Sequence, residues 1–185
     1  SFGLFIFGLG DSLLIISGLG NAPWSVLAQG ISVNTGFSIG VSTLIISALV
    51  LALWIPLRES PGLGTISNIL IIAFAIDFGI HLFPHPKVFA IELIYVVIGI
   101  ALVGVGSALY ITCGLGPGPR DGWMTSIHRR TGIPVGRVRL MIELLVLTLG
   151  VMLGGTAGLG TALFALFIGY SVALSFGVVS RFTRG

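Results

Sequence analysis

Charged residues are scarce in this sequence: they make up only 8% of its 185 residues, whereas apolar residues make up 55%. Soluble domains contain about 25% charged residues, so this composition excludes an ordinary water-soluble domain. A membrane-spanning helix needs about 20 mainly apolar residues to cross roughly 30 Å of hydrocarbon. Several stretches of the chain have this length and character, and we therefore expect the lipid bilayer to be its main partner.

Cysteine is nearly missing, and strings that match catalytic motifs are scarce. The single cysteine, Cys113, excludes an internal disulfide and a cysteine-based metal cluster. The sequence has no H-E-x-x-H or Walker A motif, and its one G-x-S-x-G string, at residues 36–40, does not by itself identify a catalytic nucleophile. We therefore predict that the protein is not an enzyme and has no catalytic residue, cofactor or metal site. The basic residues are not interleaved with aromatic ones, so nucleic acid is not an expected partner.

What the sequence does contain is a series of apolar runs separated by glycine, proline or charge. They predict an all-α membrane protein with six transmembrane helices in a single domain over residues 1–185. Because the chain starts inside an apolar segment without the features of a signal peptide, we interpret this first segment as a span and expect a few native residues before it. The predicted spans are 1–17, 39–57, 64–83, 89–113, 136–153 and 160–180.

The nine basic residues predict the orientation of the chain. If the N-terminus lies in the cytoplasm, eight arginines fall on the cytoplasmic side and only Lys87 falls outside. Cytoplasmic loops are enriched in Lys and Arg, so we expect a multi-pass protein with both termini inside. The eight arginines are Arg58, Arg120, Arg129, Arg130, Arg137, Arg139, Arg181 and Arg184.

An internal repeat relates the two halves of the chain. A shift of 96 residues aligns residues 3–65 with residues 99–161 without a gap and gives 24 identities in 63 positions. The repeats extend over about 1–83 and about 89–180, and each contains three predicted spans. Because three is an odd number, the second repeat is expected to enter the membrane upside down relative to the first.

The long connectors 18–38 and 114–135 each contain a predicted helix break and a short extra helix. Glycines with positive φ can end the first span of each repeat, and a proline suits the first turn of the short helix that follows. The sequence allows two placements of the short helices. They dip into the membrane as re-entrant helices, or they lie flat on its two faces. The residues of the two breaks are Gly18, Gly20, Pro23, Gly114, Gly116 and Pro119.

Four carboxylates lie within or near the predicted spans, where an ionisable group is costly and therefore a functional candidate. Asp11 is in mid-span without a local partner, and we interpret it as a proton or cation site. Glu143 follows Arg139 by four residues, which favours an ion pair on one helix face. Asp77 and His81 have the same spacing near the outer end of their span and are expected to pair there. Glu92 is expected at the interface.

Polar residues at the two breaks complete the predicted substrate or ion site. Asp121 is suited to accept first-turn N–H groups of the second short helix, whereas Arg120 and the same helix N-terminus could bind an anionic group of a ligand. Asn21 and Ser25 are uncharged residues at the first break and suit polar contacts. The predicted site thus consists of Asp11, Asn21, Ser25, Arg120, Asp121 and Glu143.

The sequence resembles a known family at the same places. The string Gly-Pro-Gly-Pro-Arg-Asp-Gly at 116–122, together with Thr-Gly-Ile-Pro-Val at 131–135 and Gly-Leu-Gly-Asn-Ala-Pro-Trp at 18–24, is similar to the YczE branch of the bacterial YczE/YyaS/YitT membrane proteins. The likeness covers nearly the whole chain. It implies a bacterial cytoplasmic (inner) membrane protein, in a family whose relatives have been grouped with small-molecule exporters.

Two functions are compatible with these patterns. The repeat, the paired breaks and the buried carboxylate favour a secondary transporter or exporter of a small organic molecule. The alternative is a non-transporting scaffold that recruits a cytoplasmic enzyme or assembly through the arginine-rich loop 117–139. Because 19.3 kDa is small for an enclosed pathway, the sequence is compatible with a homodimer as well as with a monomer.

Overall fold

The computed structural model describes residues 2–58, 60–114 and 116–183, and its regular secondary structure there is entirely α-helical. Ser1, Leu115 and Arg184 lie outside the described residues, as does the side chain of Arg181. The helices are α1 (Phe2–Ser17), α2 (Pro23–Thr35), α3 (Ile39–Ala52), α4 (Leu63–Leu82), α5 (Phe89–Thr112), α6 (Pro119–Thr131), α7 (Val135–Met152) and α8 (Leu159–Thr183).

Fewer helices than the six predicted spans have the length and composition of a membrane-spanning helix. By length and composition, three described helices qualify, namely Leu63–Leu82, Phe89–Thr112 and Leu159–Val179. A fourth qualifies if α2 and α3, which are bent by 114° at their break, are taken as one broken span. Helix α1 has 16 residues, or about 24 Å at 1.5 Å per residue, and α7 carries three charged residues, so neither of them qualifies.

The third helix ends earlier than the sequence indicates. Its predicted span was 39–57, but α3 ends at Ala52 and residues 53–58 form turns. Pro56 lies in this segment and has no backbone N–H for a helical hydrogen bond. Trp54 is anchored instead, because its indole Nε1 donates to the carbonyl oxygen of Pro119 at 3.0 Å. The turn therefore rests on the start of α6.

The two connectors have the same backbone conformation. Gly18 and Gly20 have φ values of 71° and 112°, and Gly114 and Gly116 have φ values of 63° and 118°. Each pair follows the first helix of its half, and each short helix then begins at a proline, Pro23 in α2 and Pro119 in α6. Glycine fits these positions because other residues rarely adopt positive φ.

Helices α1 and α5, which the 96-residue shift aligns, pack against each other in antiparallel directions. A Cβ atom on Gly106 would lie 2.6 Å from the oxygen of Gly3, and one on Gly99 would lie 2.8 Å from the oxygen of Gly10. The start of α1 thus meets the end of α5, and the reverse contact is made by the equivalent residues. Small residues allow this close approach of the two backbones.

The connectors exchange contacts between the halves in the same reciprocal way. A Cβ atom on Gly20 would lie 2.7 Å from Oγ1 of Thr161, and one on Gly116 would lie 3.3 Å from Oγ1 of Thr65. Thr65 and Thr161 are equivalent residues at the starts of α4 and α8. Each helix break therefore rests on the Gly-Leu-Gly-Thr turn of the other half.

The helices form two groups, which we call the scaffold group (α1, α4, α5 and α8) and the short-helix group (α2, α3, α6 and α7). In the scaffold group α5 packs on α1 and α8, and α1 packs on α4. In the short-helix group α2 packs on α3 and α7, with a core that includes Trp24, Ile46, Met124 and Ile142. Helix α3 also packs on α4 and so joins the groups, whereas α7 and α8 have at most a marginal contact in the described chain.

Candidate functional site

A cavity of about 160 Å³ lies between the scaffold group and the short-helix group. Eighteen of its twenty-three lining residues form nine pairs that the 96-residue shift aligns, so the cavity lies where the two halves meet. The nine pairs are Phe7 and Val103, Asp11 and Ser107, Ala22 and Gly118, Pro23 and Pro119, Trp24 and Arg120, Thr43 and Arg139, Ser47 and Glu143, Asn68 and Phe164, and Ile72 and Ile168.

Asp11 is the most deeply buried carboxylate of the cavity, with 3% of its surface exposed. Its Oδ2 accepts a hydrogen bond from Oγ of Ser25 at 3.1 Å, which links the middle of α1 to the first turn of α2. The equivalent positions in the second half hold Ser107 and Asp121, so the serine and the carboxylate have exchanged places. The structure thus brings two predicted site residues, Asp11 and Ser25, into direct contact.

Arg120 faces Trp24 across the cavity, and these are equivalent residues in the first turns of α6 and α2. The guanidinium carbon lies 4.8 Å from the centroid of the indole ring, in cation–π geometry. The N-termini of the two short helices therefore approach each other. Within the described ranges no residue accepts a hydrogen bond from the guanidinium. Its N–H donors are consequently available to a ligand in the cavity.

Arg120 shares the cavity with three carboxylates. Those of Asp11, Asp121 and Glu143 all interact with it electrostatically. Asp121 also accepts a hydrogen bond on Oδ2 from the hydroxyl of Tyr110 at 2.8 Å. Glu143 pairs with Arg139, with Oε1 2.9 Å from Nε, as the four-residue spacing predicts. Two guanidinium groups and three carboxylates thus line the described cavity.

The remaining wall is partly polar and partly apolar, and its polarity differs between the halves. Thr43 and Ser47 on α3 are buried and line the cavity together with Asn68 on α4. In the second half, α8 contributes Phe164 and Ile168 instead. A ligand in this cavity would meet charged groups at its centre and an apolar surface along α8.

Asn21 lies outside the cavity lining and donates to a residue that is also outside it. Of the other predicted site residues, Ser25 contacts Asp11, and the remaining four line the cavity. Nδ2 of Asn21 donates to Oε1 of Gln29 at 2.8 Å, and the same oxygen accepts from the backbone N–H of Thr156. The backbone N–H of Asn21 donates to the carbonyl oxygen of Thr156 at 3.3 Å. Asn21 therefore connects the first break to the turn that precedes α8.

Asp77 does not form the side-chain pair with His81 that its spacing indicates. Nδ1 of His81 lies 2.7 Å from the backbone oxygen of Asp77. The carboxylate instead accepts from Oγ of Ser38 at 2.5 Å and from the backbone N–H of Gly40 at 2.7 Å. These donors belong to the start of α3, whose free N–H groups attract a negative charge. The local spacing could not reveal this partner, because it comes from another helix.

The sequence reasoning missed Trp24, Tyr110 and Ser47 as cavity residues. The 96-residue shift contains the signal for two of them, because it aligns Trp24 with Arg120 and Ser47 with Glu143. Tyr110 is equivalent to a leucine and has no such signal. As for metals, the described residues contain no group of three or more His, Cys, Asp or Glu side chains that could hold an ion.

Comparisons with known proteins match the chain to one family model and to several bacterial proteins. The model of the family of unknown function DUF6198 matches residues 1–176. An uncharacterised protein of Haemophilus influenzae is 44% identical over 180 residues, which cover 97% of this chain and 83% of that protein. The uncharacterised membrane protein YczE of Bacillus subtilis is 33% identical over 94% of this chain and 81% of its own length. The uncharacterised protein YyaS of the same organism is 28% identical over 97% of this chain and 91% of its own length. No solved structure matches the chain significantly.

Proposed function

Because this chain belongs to the family of unknown function DUF6198 and to the YczE/YyaS group of membrane proteins, we propose its function from its own cavity: it is a secondary transporter or exporter of a small organic molecule. The observation that carries the proposal is the position of the cavity between two equivalent halves. In transporters with inverted repeats, substrates bind at the interface of the repeats, near half-helix N-termini. Here α2 and α6 supply those termini.

The packing of two equivalent helices supports an inverted arrangement of the repeats. Equivalent helices α1 and α5 run antiparallel, with reciprocal contacts between Gly3 and Gly106 and between Gly99 and Gly10. A two-fold axis that relates antiparallel neighbours must run across them. If α5, a candidate span, crosses the bilayer, this axis lies in the membrane plane, and the two halves have opposite orientations.

The contacts of the short helices support the re-entrant alternative. Trp24 belongs to the connector predicted outside and Arg120 to the connector predicted inside, yet their side chains meet. Two helices that lay flat on opposite faces could not make this contact across roughly 30 Å of hydrocarbon. We therefore propose that α2 and α6 dip towards the midplane, where their positive N-terminal ends surround the ligand.

In the proposed topology the chain crosses a bacterial inner membrane six times, and both termini lie on its cytoplasmic side. Three of the six proposed spans, α1, α3 and α7, are too short or too charged to count as membrane-spanning helices by themselves. Each of them is packed against another helix of the bundle. Charged groups within a membrane protein are tolerated when they face the interior or a watery cavity, and Arg139 and Glu143 of α7 line the cavity.

The scaffold alternative, in which the loop 117–139 recruits a cytoplasmic partner, is the weaker proposal. A guanidinium nitrogen of Arg130 donates to the carbonyl oxygen of Leu57, and Arg139 pairs with Glu143. Arg120 lies in the cavity. Because these arginines are engaged within the protein, only part of the basic loop presents charge to a partner.

Flux measurements on proteoliposomes test the proposal. Purified protein is reconstituted and offered a panel of small carboxylates, amines and zwitterions under a proton or sodium gradient. We expect saturable uptake or release of at least one class, with stabilisation of the detergent-solubilised protein by the same compounds. Liposomes with the Asp11→Asn variant serve as the matched control. The absence of both flux and stabilisation across the panel would overturn the transport proposal.

A further inference from the structure

The two halves of the chain have different conformations at one equivalent contact. In the first half, the start of α3 is clamped to the end of α4. The Asp77 carboxylate accepts from Ser38 Oγ at 2.5 Å and from the Gly40 N–H at 2.7 Å. A Cβ atom on Gly40 would lie 2.3 Å from the oxygen of Ala73. Nothing larger than glycine fits this contact, so the seam between α3 and α4 is closed here.

The equivalent contact in the second half is open. Gly136 and Gly169 correspond to Gly40 and Ala73, and a Cβ atom on either would meet no atom within 4 Å. Ala173, which corresponds to Asp77, is exposed. The second half has small residues at all three positions, although α7 and α8 scarcely touch here. These small residues would allow α7 to pack on α8 as α3 packs on α4.

Both seams border the same cavity. Thr43 and Ser47 of α3, with Asn68 of α4, line it on the closed side, and their equivalents on α7 and α8 line it on the open side. Because α1 and α5 run antiparallel, the starts of α3 and α7 lie at opposite ends of the molecule. The cavity is therefore closed towards one end and open towards the other.

We propose that the two halves exchange these conformations: α7 packs onto α8 while α3 separates from α4. The cavity then opens alternately at its two ends. Asp77 is the latch, meaning the residue whose hydrogen bonds hold α3 against α4 at the end that is closed here. This inference rests on the proposed function and specifies how the cavity is reached. The movement is that of the short-helix group against the scaffold group. The second half has no carboxylate latch, because Ala173 replaces the aspartate, and this makes the exchange asymmetric.

Disulfide cross-linking in native membranes tests the exchange without a known ligand. In a Cys113→Ser background, Gly136→Cys is combined with Ala173→Cys, and oxidation is catalysed by copper phenanthroline. The matched control pairs Gly136→Cys with Leu174→Cys, whose side chain is 73% exposed and lies on the adjacent position of α8. We expect the first pair to cross-link and the control pair to remain reduced.

Loss of the Asp77 hydrogen bonds should favour the conformation in which α7 packs on α8, and cross-linking of Gly136→Cys with Ala173→Cys should therefore be faster. Asp77→Asn removes hydrogen bonds to a charged acceptor, and we expect cross-linking about tenfold faster. Ser38→Ala removes only one of these bonds and should give a smaller increase, which provides a second variant if Asp77→Asn does not accumulate. No cross-link in any background, or equal rates for the Ala173 and Leu174 pairs, would overturn the exchange. An unchanged rate in both latch variants would overturn the role of Asp77. If the protein transports a compound but the cysteines do not cross-link, the exchange of conformations is wrong and the transport proposal stands. If the cysteines cross-link but neither flux nor ligand stabilisation is seen, the transport proposal is wrong.

Discussion

Ion-driven flux through the Asp11→Asn variant is expected to be about 10- to 100-fold lower than through the wild-type protein. Asparagine has nearly the same shape and can still accept the hydrogen bond from Ser25, which lies 3.1 Å from the carboxylate. It cannot bind or release a proton, and it carries no charge to attract a cation or to balance Arg120. Hydrogen bonds to charged groups contribute about 1.5–3 kcal/mol, and 1.4 kcal/mol corresponds to a factor of ten.

The matched control for this variant is Ser107→Ala, at the equivalent position of the second half. Ser107 also lines the cavity, but its hydroxyl donates a hydrogen bond to the carbonyl oxygen of Val103 at 2.7 Å and carries no charge. Flux is measured in proteoliposomes under a proton gradient and under a sodium gradient, with expression and melting temperature compared for both variants. Wild-type flux through a folded Asp11→Asn variant would remove Asp11 from the site.

Arg120→Gln is expected to weaken binding of ligands that carry a carboxylate or another anionic group, again about 10- to 100-fold. In the described chain the guanidinium has no hydrogen-bond acceptor, and it is held against the Trp24 ring at 4.8 Å. Its planar donors can therefore bind an anionic group in bidentate geometry. Arg120→Lys should not restore binding, because an ammonium group has neither the planar fork nor the same stacking surface.

Arg137→Gln is the control for this variant, because it removes the same charge from an exposed position of α7 outside the cavity lining. Affinities are compared by the shift in melting temperature over a ligand titration. Equal losses in both variants would indicate a general effect of surface charge. Unchanged or tighter binding of anionic ligands by Arg120→Gln would show that the guanidinium does not hold the ligand.

The scaffold alternative makes the opposite prediction, namely that charge reversal at Arg129 and Arg130 abolishes function while Asp11→Asn is silent.

The local features of the fold could be predicted from the sequence because they depend on residue types with restricted backbone geometry. Positive φ at Gly18 and Gly114, and short helices that begin at Pro23 and Pro119, follow from the chemistry of glycine and proline. The repeat register also aligned the residues that meet in the cavity. Charge spacing on one helix predicted the Arg139 pair with Glu143. These are short-range arguments, and they were sufficient at those positions.

Contacts between distant helices were beyond sequence reasoning. Nothing near Asp77 in the chain reveals that its carboxylate binds the start of α3. Asn21 has the polarity of a ligand-binding residue, but its Nδ2 donates to Gln29 outside the cavity lining. The open seam between α7 and α8 could not be predicted either, because glycines at equivalent positions such as Gly40 and Gly136 occur in both halves and are packed in only one. The glycines are the same in both halves, and only the packing around them differs.

Protection of a cysteine inside the cavity tests most directly whether this cavity is the transport site. Ser47 lines the cavity and is only 5% exposed, and cysteine at this position is nearly isosteric. In a Cys113→Ser background, Ser47→Cys is reacted with N-ethylmaleimide with and without a transported compound. The exposed Cys113 of the wild-type protein, outside the cavity lining, is the reference. We predict that the compound slows modification of Ser47→Cys and leaves the rate at Cys113 unchanged. A transported compound that leaves both rates unchanged would contradict a binding site in this cavity.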